Sequence, residues 1–378
     1  MEYLLVGGGL QNALIALALL ARRPDVRLTL IEKEARLGGN HTWCFHAGDA
    51  PAAAQRWLDE LVVRRWPCHD VWFSGHRRRL QQAYSAITSE RLHQVLSERL
   101  RGSPHARILT ATVRQVARDQ VTLDDGSTLR AELVIDARGP DRAARFPAAG
   151  YQKFLGLELE LCGGEMPDAP LLMDATVEQL DGFRFMYVLP WDDRRVLVED
   201  TYYSSDPLLD AGTLEERIFA YARGRGWQVA RVLRSEAGVL PLPTRSARTA
   251  AAPQVLSAGY AGGLFHPTTG YSLPVALRFA LRVASLPASA LGGEGHARWL
   301  STHERQFRFG VRLNRLLFEA FAPERRHRVL ERFYRLPADT IRRFYALETT
   351  GFDRARILCG RPPAGFSLPR LLAAGRSP

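Results

Sequence analysis

The sequence predicts an α/β fold: a parallel sheet begun by a βαβ unit, an antiparallel sheet inserted in the middle of the chain, and a helical C-terminal region. Three observations carry that prediction. The first residues read strand, glycine loop, helix, strand, ending at Glu32. From about Tyr151 to Leu242 the pattern changes to alternating apolar and polar positions. Near residue 253 a strand-and-glycine pattern returns, followed by a tail of leucine, arginine and aromatic residues at helical spacing. With 378 residues the chain is long enough for two or three structural units. The expected division is a discontinuous nucleotide-binding part (1–150 and 253–290), a sheet domain (151–252) and a helical region (291–378).

Tyr3-Leu4-Leu5-Val6 is a short apolar run that ends in glycines, as a buried parallel strand does. Gly7-Gly8-Gly9 follows, and the apolar run Ala13 to Ala21 reads as a helix. Val26 to Ile31 reads as the second strand. Gly7 supplies the tight turn, and Gly9 lets backbone N–H groups approach a pyrophosphate at the positive end of the helix. Glu32, 25 residues after Gly7, is placed to accept hydrogen bonds from a ribose. The third glycine of the usual G-x-G-x-x-G pattern is Asn12, whose side chain must be accommodated where helix and strand pack closely. Arg36-Leu37-Gly38-Gly39 comes directly after the second strand. Such an Arg-x-Gly-Gly stretch is common in flavoproteins of the glutathione-reductase-like type, so FAD is favoured over NAD in a Rossmann-type domain. Leu133 to Gly139, with Asp136 and Gly139, is similar to the segment that passes the adenine side of bound FAD; a buried strand with a turn is its plainer reading.

In the middle region Phe154 to Leu161, Phe183 to Leu189 and Arg194 to Tyr202 read as strands. Pro190-Trp191-Asp192-Asp193 has turn chemistry, so the last two form a hairpin. Alternation puts Arg195, Leu197, Glu199 and Thr201 on one face and Val196, Val198 and Asp200 on the other. Val255 to Gly259 reads as a last parallel strand. The loop that follows carries Gly263, Pro267 and Gly270, and a helix is expected from Leu273 to Ala284 with Ser272 as N-cap. Its positive end would face the flavin pyrimidine edge.

Composition narrows the function classes. Hydrophobic residues at 46% and charged residues at 24% exclude a mainly disordered chain. The four cysteines form no C-x-x-C pair, and the ten histidines show no ligand spacing, so neither a disulfide scaffold nor a metal site is expected. The net charge is +11, and only Lys33 and Lys153 among 51 basic residues are lysine. A solvated basic surface or contact with anionic lipid accounts for that charge; no nucleic-acid module is recognisable. No run approaches the ~18–20 apolar residues of a membrane span. A cytoplasmic location is expected.

Gly38-Gly39-Asn40-His41-Thr42-Trp43, Glu199-Asp200-Thr201 and Phe265-His266-Pro267-Thr268-Thr269-Gly270-Tyr271-Ser272 together resemble the FAD-dependent lycopene cyclase family, the bacterial lycopene β-cyclases. Met173 to Val177 and Arg332 to Pro337 fit the same family, so the resemblance spans nearly the whole chain. Gly259-Tyr260-Ala261 stands where flavoproteins usually carry a Gly-Asp pair, so a carboxylate on the ribityl chain is not assured.

The resemblance implies acid–base closure of the linear ends of lycopene to β-rings, giving β-carotene via γ-carotene. It implies FAD in its reduced form with no net redox change, NAD(P)H as the electron source, and peripheral attachment to the inner face of the membrane. An acid must protonate the end double bond, the neighbouring double bond must attack the tertiary cation, and a base must remove a proton. Glu199 follows Val196-Leu197-Val198 and matches the functional glutamate of the family's acidic motif. Apolar burial keeps such a carboxyl protonated. A surface pairing with Arg194 or Arg195 is its other reading, and the final base is left open. Trp43, Phe265, Tyr202 and Tyr203 are candidates for cation–π stabilisation, or for plain core packing. His41 and His266 flank the flavin loops as pocket residues, either carrying a proton or serving a structural, hydrogen-bonding role. A flavin monooxygenase or dehydrogenase acting on an apolar substrate is the alternative reading, because a fold does not fix a function.

Overall fold

The computed structural model describes residues 2–139, 149–245, 255–360 and 362–374. The boundary expected near residue 253 lies outside them.

Strand β1 (Glu2–Val6), helix α1 (Leu10–Arg22) and strand β2 (Arg27–Glu32) form the βαβ start. β1 and β2 pair in parallel, Leu4 opposite Thr29. Five parallel strands make the sheet, in the order Leu256–Ser257, Leu133–Asp136, β1, β2, Ala106–Thr110. Both faces are buried, which is why β1 reads as a continuous apolar run. Tyr3, Leu5, Leu30 and Ile135 pack against α1 and the helix Leu273–Ser285. Leu4, Val6, Ile31 and Val134 face Val113, Val121 and Leu123 of a three-stranded antiparallel sheet. Asn12 is fully buried, and its Nδ2 donates to the carbonyls of Val6 and Gly7, both at 2.9 Å. The side chain in the third glycine position thus ties the helix to the end of β1. Ser272 does stand at the N-cap of Leu273–Ser285, but its side chain makes no cap hydrogen bond.

The second sheet has seven strands, in the order Gln228–Pro243, Ala149–Gly163, Arg195–Ser204, Phe183–Pro190, Leu171–Asp174, His69–Phe73, His76–Leu80. All neighbours are antiparallel except Leu171–Asp174 with His69–Phe73. Its last two strands come from residues 69–80, inside the span expected to serve the nucleotide-binding part. The expected hairpin is present: Asp192 Oδ1 accepts from the amides of Arg194 and Arg195 at 2.9 and 2.8 Å. Helix Ala211–Gly224 covers one face of the sheet through Leu214, Ile218 and Ala222. The tail covers the other: Phe333, Tyr334, Ile341 and Phe344 pack with Phe73, Phe183 and Phe185. Among the described residues no helix is long and apolar enough to cross a membrane.

Candidate active site

A cavity of about 1040 Å³ runs from the loop after β1 to the tail-covered face of the seven-stranded sheet. Its outer end is built by the βαβ unit. Gly7 adopts φ +95°, and a Cβ there would lie 2.8 Å from the Ala137 carbonyl oxygen. Gly9 caps α1 with no side-chain cap, and a Cβ added there meets nothing within 4 Å. The start of α1, Gly9 to Gln11, lines the cavity without a side-chain cap, the arrangement an anionic phosphate needs. Glu32 accepts from the amides of Gly8 (2.6 Å), Lys33 (2.8 Å) and Glu34 (3.2 Å), which fixes its carboxylate at the rim. Arg36, Gly38, Gly39 and Gly139 also line this end, and a Cβ at Gly139 again meets nothing within 4 Å. These features fit a dinucleotide. Of the other residues assigned to the cofactor, Gly270 lines the cavity, while Asp136, Gly263 and Pro267 do not. Asp136 holds Arg138, which does, by two bonds at 3.0 and 2.8 Å. The Gly263 carbonyl is bonded to His303 Nε2 at 2.8 Å, and Pro267 packs on Gly310.

The inner end is apolar and aromatic: Met173, Phe185, Tyr84, Tyr187, Tyr203 and Tyr345 line it. The Tyr84 and Tyr187 hydroxyls bond each other at 3.0 Å, so one polar pair is satisfied internally. Glu199 and Thr201 point into this space, while Asp200 is on the opposite face, bonded to Arg184 at 2.8 and 3.0 Å. No register shift interrupts the Arg195–Ser204 strand, so the alternation read from the sequence holds.

The same alternation corrects one candidate. Tyr202 shares the face of Asp200; its hydroxyl donates to Asp200 Oδ2 (3.1 Å) and accepts from Arg217 (2.6 Å), away from the cavity. Tyr203 is the one that lines it. His41 and Trp43 line the cavity with their rings 5.8 Å apart. Phe265 does not: it is sealed between Tyr260, stacked at 4.3 Å, and Phe307. His266 is also outside the cavity. Its Nε2 donates to the Phe344 carbonyl (2.9 Å) and its Nδ1 accepts from the Thr268 amide (3.1 Å). Burial pushes its pKa down to about 3, so the ring stays neutral and bolts the loop to the tail.

The register places Tyr187, Glu199, Gly156 and Glu236 in one row across four strands. Gly156 leaves a gap, since a Cβ there would lie 2.8 Å from Glu199 Cγ and 3.2 Å from Glu236 Cγ. The two carboxyl side chains therefore meet across the space that Gly156 leaves. Loss of solvent raises the Glu199 carboxyl well above the usual range; the Glu236 charge and hydrogen bond add to this, and Arg234 opposes it. Arg195 pairs with Asp192 at 2.7 Å rather than with Glu199. Glu236 and Gly156 were not singled out from sequence, because only register reveals their neighbours. On the other wall Tyr271 donates to Asp49 Oδ2 at 2.7 Å, and burial lifts the Asp49 carboxyl to about 6.

Solved structures with this fold include a geranylgeranyl bacteriochlorophyll reductase-like protein from Thermoplasma acidophilum (TM-score 0.62, 13% identity, 99% of this chain and 95% of that one). Another is pqsL, named a probable FAD-dependent monooxygenase, from Pseudomonas aeruginosa (TM-score 0.59, 18% identity, 86% and 97%). The chain thus has the Rossmann-type FAD-binding fold of these structures. The family described as "Lycopene cyclase protein" matches residues 3–371. A lycopene beta-cyclase from Pantoea ananas is 42% identical over 366 residues, 96% of this chain and 95% of its own length. The chain belongs to the lycopene cyclase family.

Proposed function

We propose that the chain closes β-rings at the linear ends of lycopene by acid–base chemistry. The observation that carries this is one cavity with the glycine loop of the βαβ unit at one end and, at the other, the Glu199 carboxyl among aromatic side chains, where loss of solvent raises its pKa. Glu199 is the acid. Its O–H bond breaks as a C–H bond forms at the terminal double bond, leaving a tertiary cation. The π pair of the neighbouring double bond forms the ring C–C bond, and the cation moves into the ring. Loss of a ring proton leaves the ring alkene, so atoms and oxidation state are unchanged. The faces of Trp43, Tyr187 and Tyr203 each offer the cation ~0.5–2 kcal/mol without a nucleophile strong enough to trap it. The tail packs over this face of the sheet through Phe333, Tyr334, Ile341 and Phe344.

Gly7, Gly9, Glu32, Arg36, Gly38, Gly39 and Gly139 would hold FAD, with Ser272 and Gly270 near its far end. Reduced by NAD(P)H, the flavin would supply an electron-rich surface beside the cation. Peripheral attachment to membrane completes the reading, since lycopene is dissolved in lipid. It is supported by exposed Phe352 (79%), Leu368 (54%) and Leu372 (59%) on the arginine-rich tail. The test is incubation of the FAD-loaded, reduced protein with lycopene in micelles, with pigments resolved by chromatography. Ring-bearing carotenes are expected. Unchanged lycopene, or an oxygenated product, would remove the assignment. Flotation with anionic liposomes is expected to carry the protein upward; full retention in the soluble fraction would count against attachment.

A further inference from the structure

The carboxyl pair carries more than the acid. Glu236 is buried and does not line the cavity; it reaches the reaction only through Glu199. Arg234 Nη1 donates to Glu236 Oε2 at 2.9 Å, and the Thr42 hydroxyl donates to the same oxygen at 3.1 Å. The same guanidinium donates to Asn40 Oδ1 (3.0 Å) and Thr42 Oγ1 (2.6 Å), and Asn40 Nδ2 donates to the Ser235 carbonyl at 2.7 Å. The loop after Gly39 is thus fastened to the carboxyl pair by one ion pair and its hydrogen bonds. Nothing in the proton-donor role of Glu199 alone uses this arrangement.

We propose that Glu236 is a positioning residue for ring closure: ion-paired with Arg234 and set against Glu199 across the Gly156 gap, it keeps the proton on Glu199 before reaction and draws the last proton back to Glu199 afterwards. Chemistry makes one carboxyl sufficient for both transfers. The carbon that is protonated and the carbon that loses its proton to give a β-ring are both bonded to the first cationic centre. They are separated by a single atom, so a carboxyl at one is beside the other. After donation, two carboxylates face each other in a site with little water, where like charges repel strongly. Breaking the ring C–H bond relieves that repulsion. Its electron pair becomes the ring C=C, its proton forms the O–H of Glu199, and the enzyme returns to its starting state. No oxidant or reductant enters this balance.

The other titratable groups facing the pair are His41 and Cys44 on the loop and strand after β2, Tyr187 on the adjacent strand, and Glu158 and Glu90 beside Arg234. Burial lowers the His41 pKa and raises those of Cys44 and Tyr187, so each of these three stays uncharged through neutral pH. The charge that Glu199 meets first is that of Glu236.

The inference rests on the cyclase reading, and the experiment separates the two. Ring closure by the FAD-loaded, reduced protein is measured with lycopene micelles from acid to alkaline pH for wild type, Glu236→Gln and Glu236→Asp, with flavin content followed by absorbance. Without the neighbouring charge, Glu199 loses its proton at lower pH, so the alkaline limb of the Glu236→Gln profile moves down by about 1–3 pH units. Rate at neutral pH falls, acid pH restores part of it, KM and flavin content hold, and Glu236→Asp keeps the limb near wild type. An unshifted limb, or a uniform loss at all pH values, overturns the inference. A wild type that closes no rings overturns the cyclase reading instead. Should Glu236→Gln not fold, infrared titration of wild type against Glu199→Gln decides. A protonated-carboxyl band that survives neutral pH and belongs to Glu199 supports the inference, and two ionised carboxylates at pH 7 overturn it.

Discussion

Replacing Glu199 with glutamine removes a titratable proton while keeping shape and the ability to hydrogen-bond Glu236. Two effects of opposite sign follow. Ring closure loses its acid, and loss of a positioned general acid costs about 10²–10⁴-fold in kcat, or ~3–5 kcal/mol of barrier. Stability moves the other way. Burial and the Glu236 charge raise the folded-state pKa of Glu199 well above its value in the unfolded chain. A group raised on folding contributes its full stability below the unfolded pKa, about 4.3 for glutamate, and that contribution is lost as pH rises toward the folded value. Each pH unit in that window costs wild type about 1.4 kcal/mol for this one proton. Glutamine carries no such penalty. The stability difference, Glu199→Gln minus wild type, is therefore expected to grow from pH 4 upward and to level off once the folded carboxyl itself ionises. Urea unfolding of the flavin-loaded proteins at several pH values reads it directly, alongside pigment turnover. A difference that does not vary with pH, or a variant that turns over near the wild-type rate, would refute the reasoning.

Three further outcomes test the frame around this residue. Gly9→Val is expected to fold with little change in Tm, because its φ of −74° suits any residue and a Cβ there meets no protein atom; flavin content after reconstitution should fall sharply. Asn12→Ala leaves the Val6 and Gly7 carbonyls without the buried donor and is expected to cost about 1–3 kcal/mol in denaturant unfolding, with flavin content reduced in proportion to the unfolded fraction. Asp49, raised to about 6, loses its contribution as pH climbs from about 4 through 6; Asp49→Asn should abolish that part of the pH dependence of stability while the Tyr271 hydroxyl keeps an acceptor.

The βαβ start was legible in the sequence because everything it needs is local. Apolar runs, glycines and Glu32 lie within one short segment, and each residue's neighbours in space are close in the chain. The alternation of Glu199 and Asp200 was legible for the same reason, and applied two residues further it would have moved Tyr202 out of the pocket in favour of Tyr203. The last two strands of the seven-stranded sheet, His69–Phe73 and His76–Leu80, were not legible. His76-Arg77-Arg78-Arg79-Leu80 carries little apolar pattern, and its sheet completes itself with segments about a hundred residues later. Glu236 was hidden for a related reason. Beside Arg234 and Ser235 it looks like a surface strand position, and only the Gly156 register makes it the partner of Glu199. His266 lies in the most distinctive loop of the chain, yet the structure spends both ring nitrogens on backbone groups; motif distinctiveness marked a structural joint rather than a proton carrier.

The central claim is that a protonated glutamic acid in an apolar pocket places its proton on a polyene end without net redox change. Mass spectrometry of the pigment formed in a single turnover by reduced, FAD-loaded protein equilibrated in D2O tests this most directly. One deuterium for each ring closed, no added oxygen and no flavin oxidation are expected. Rings formed without deuterium, or a product that gains oxygen or loses hydrogen, would contradict it.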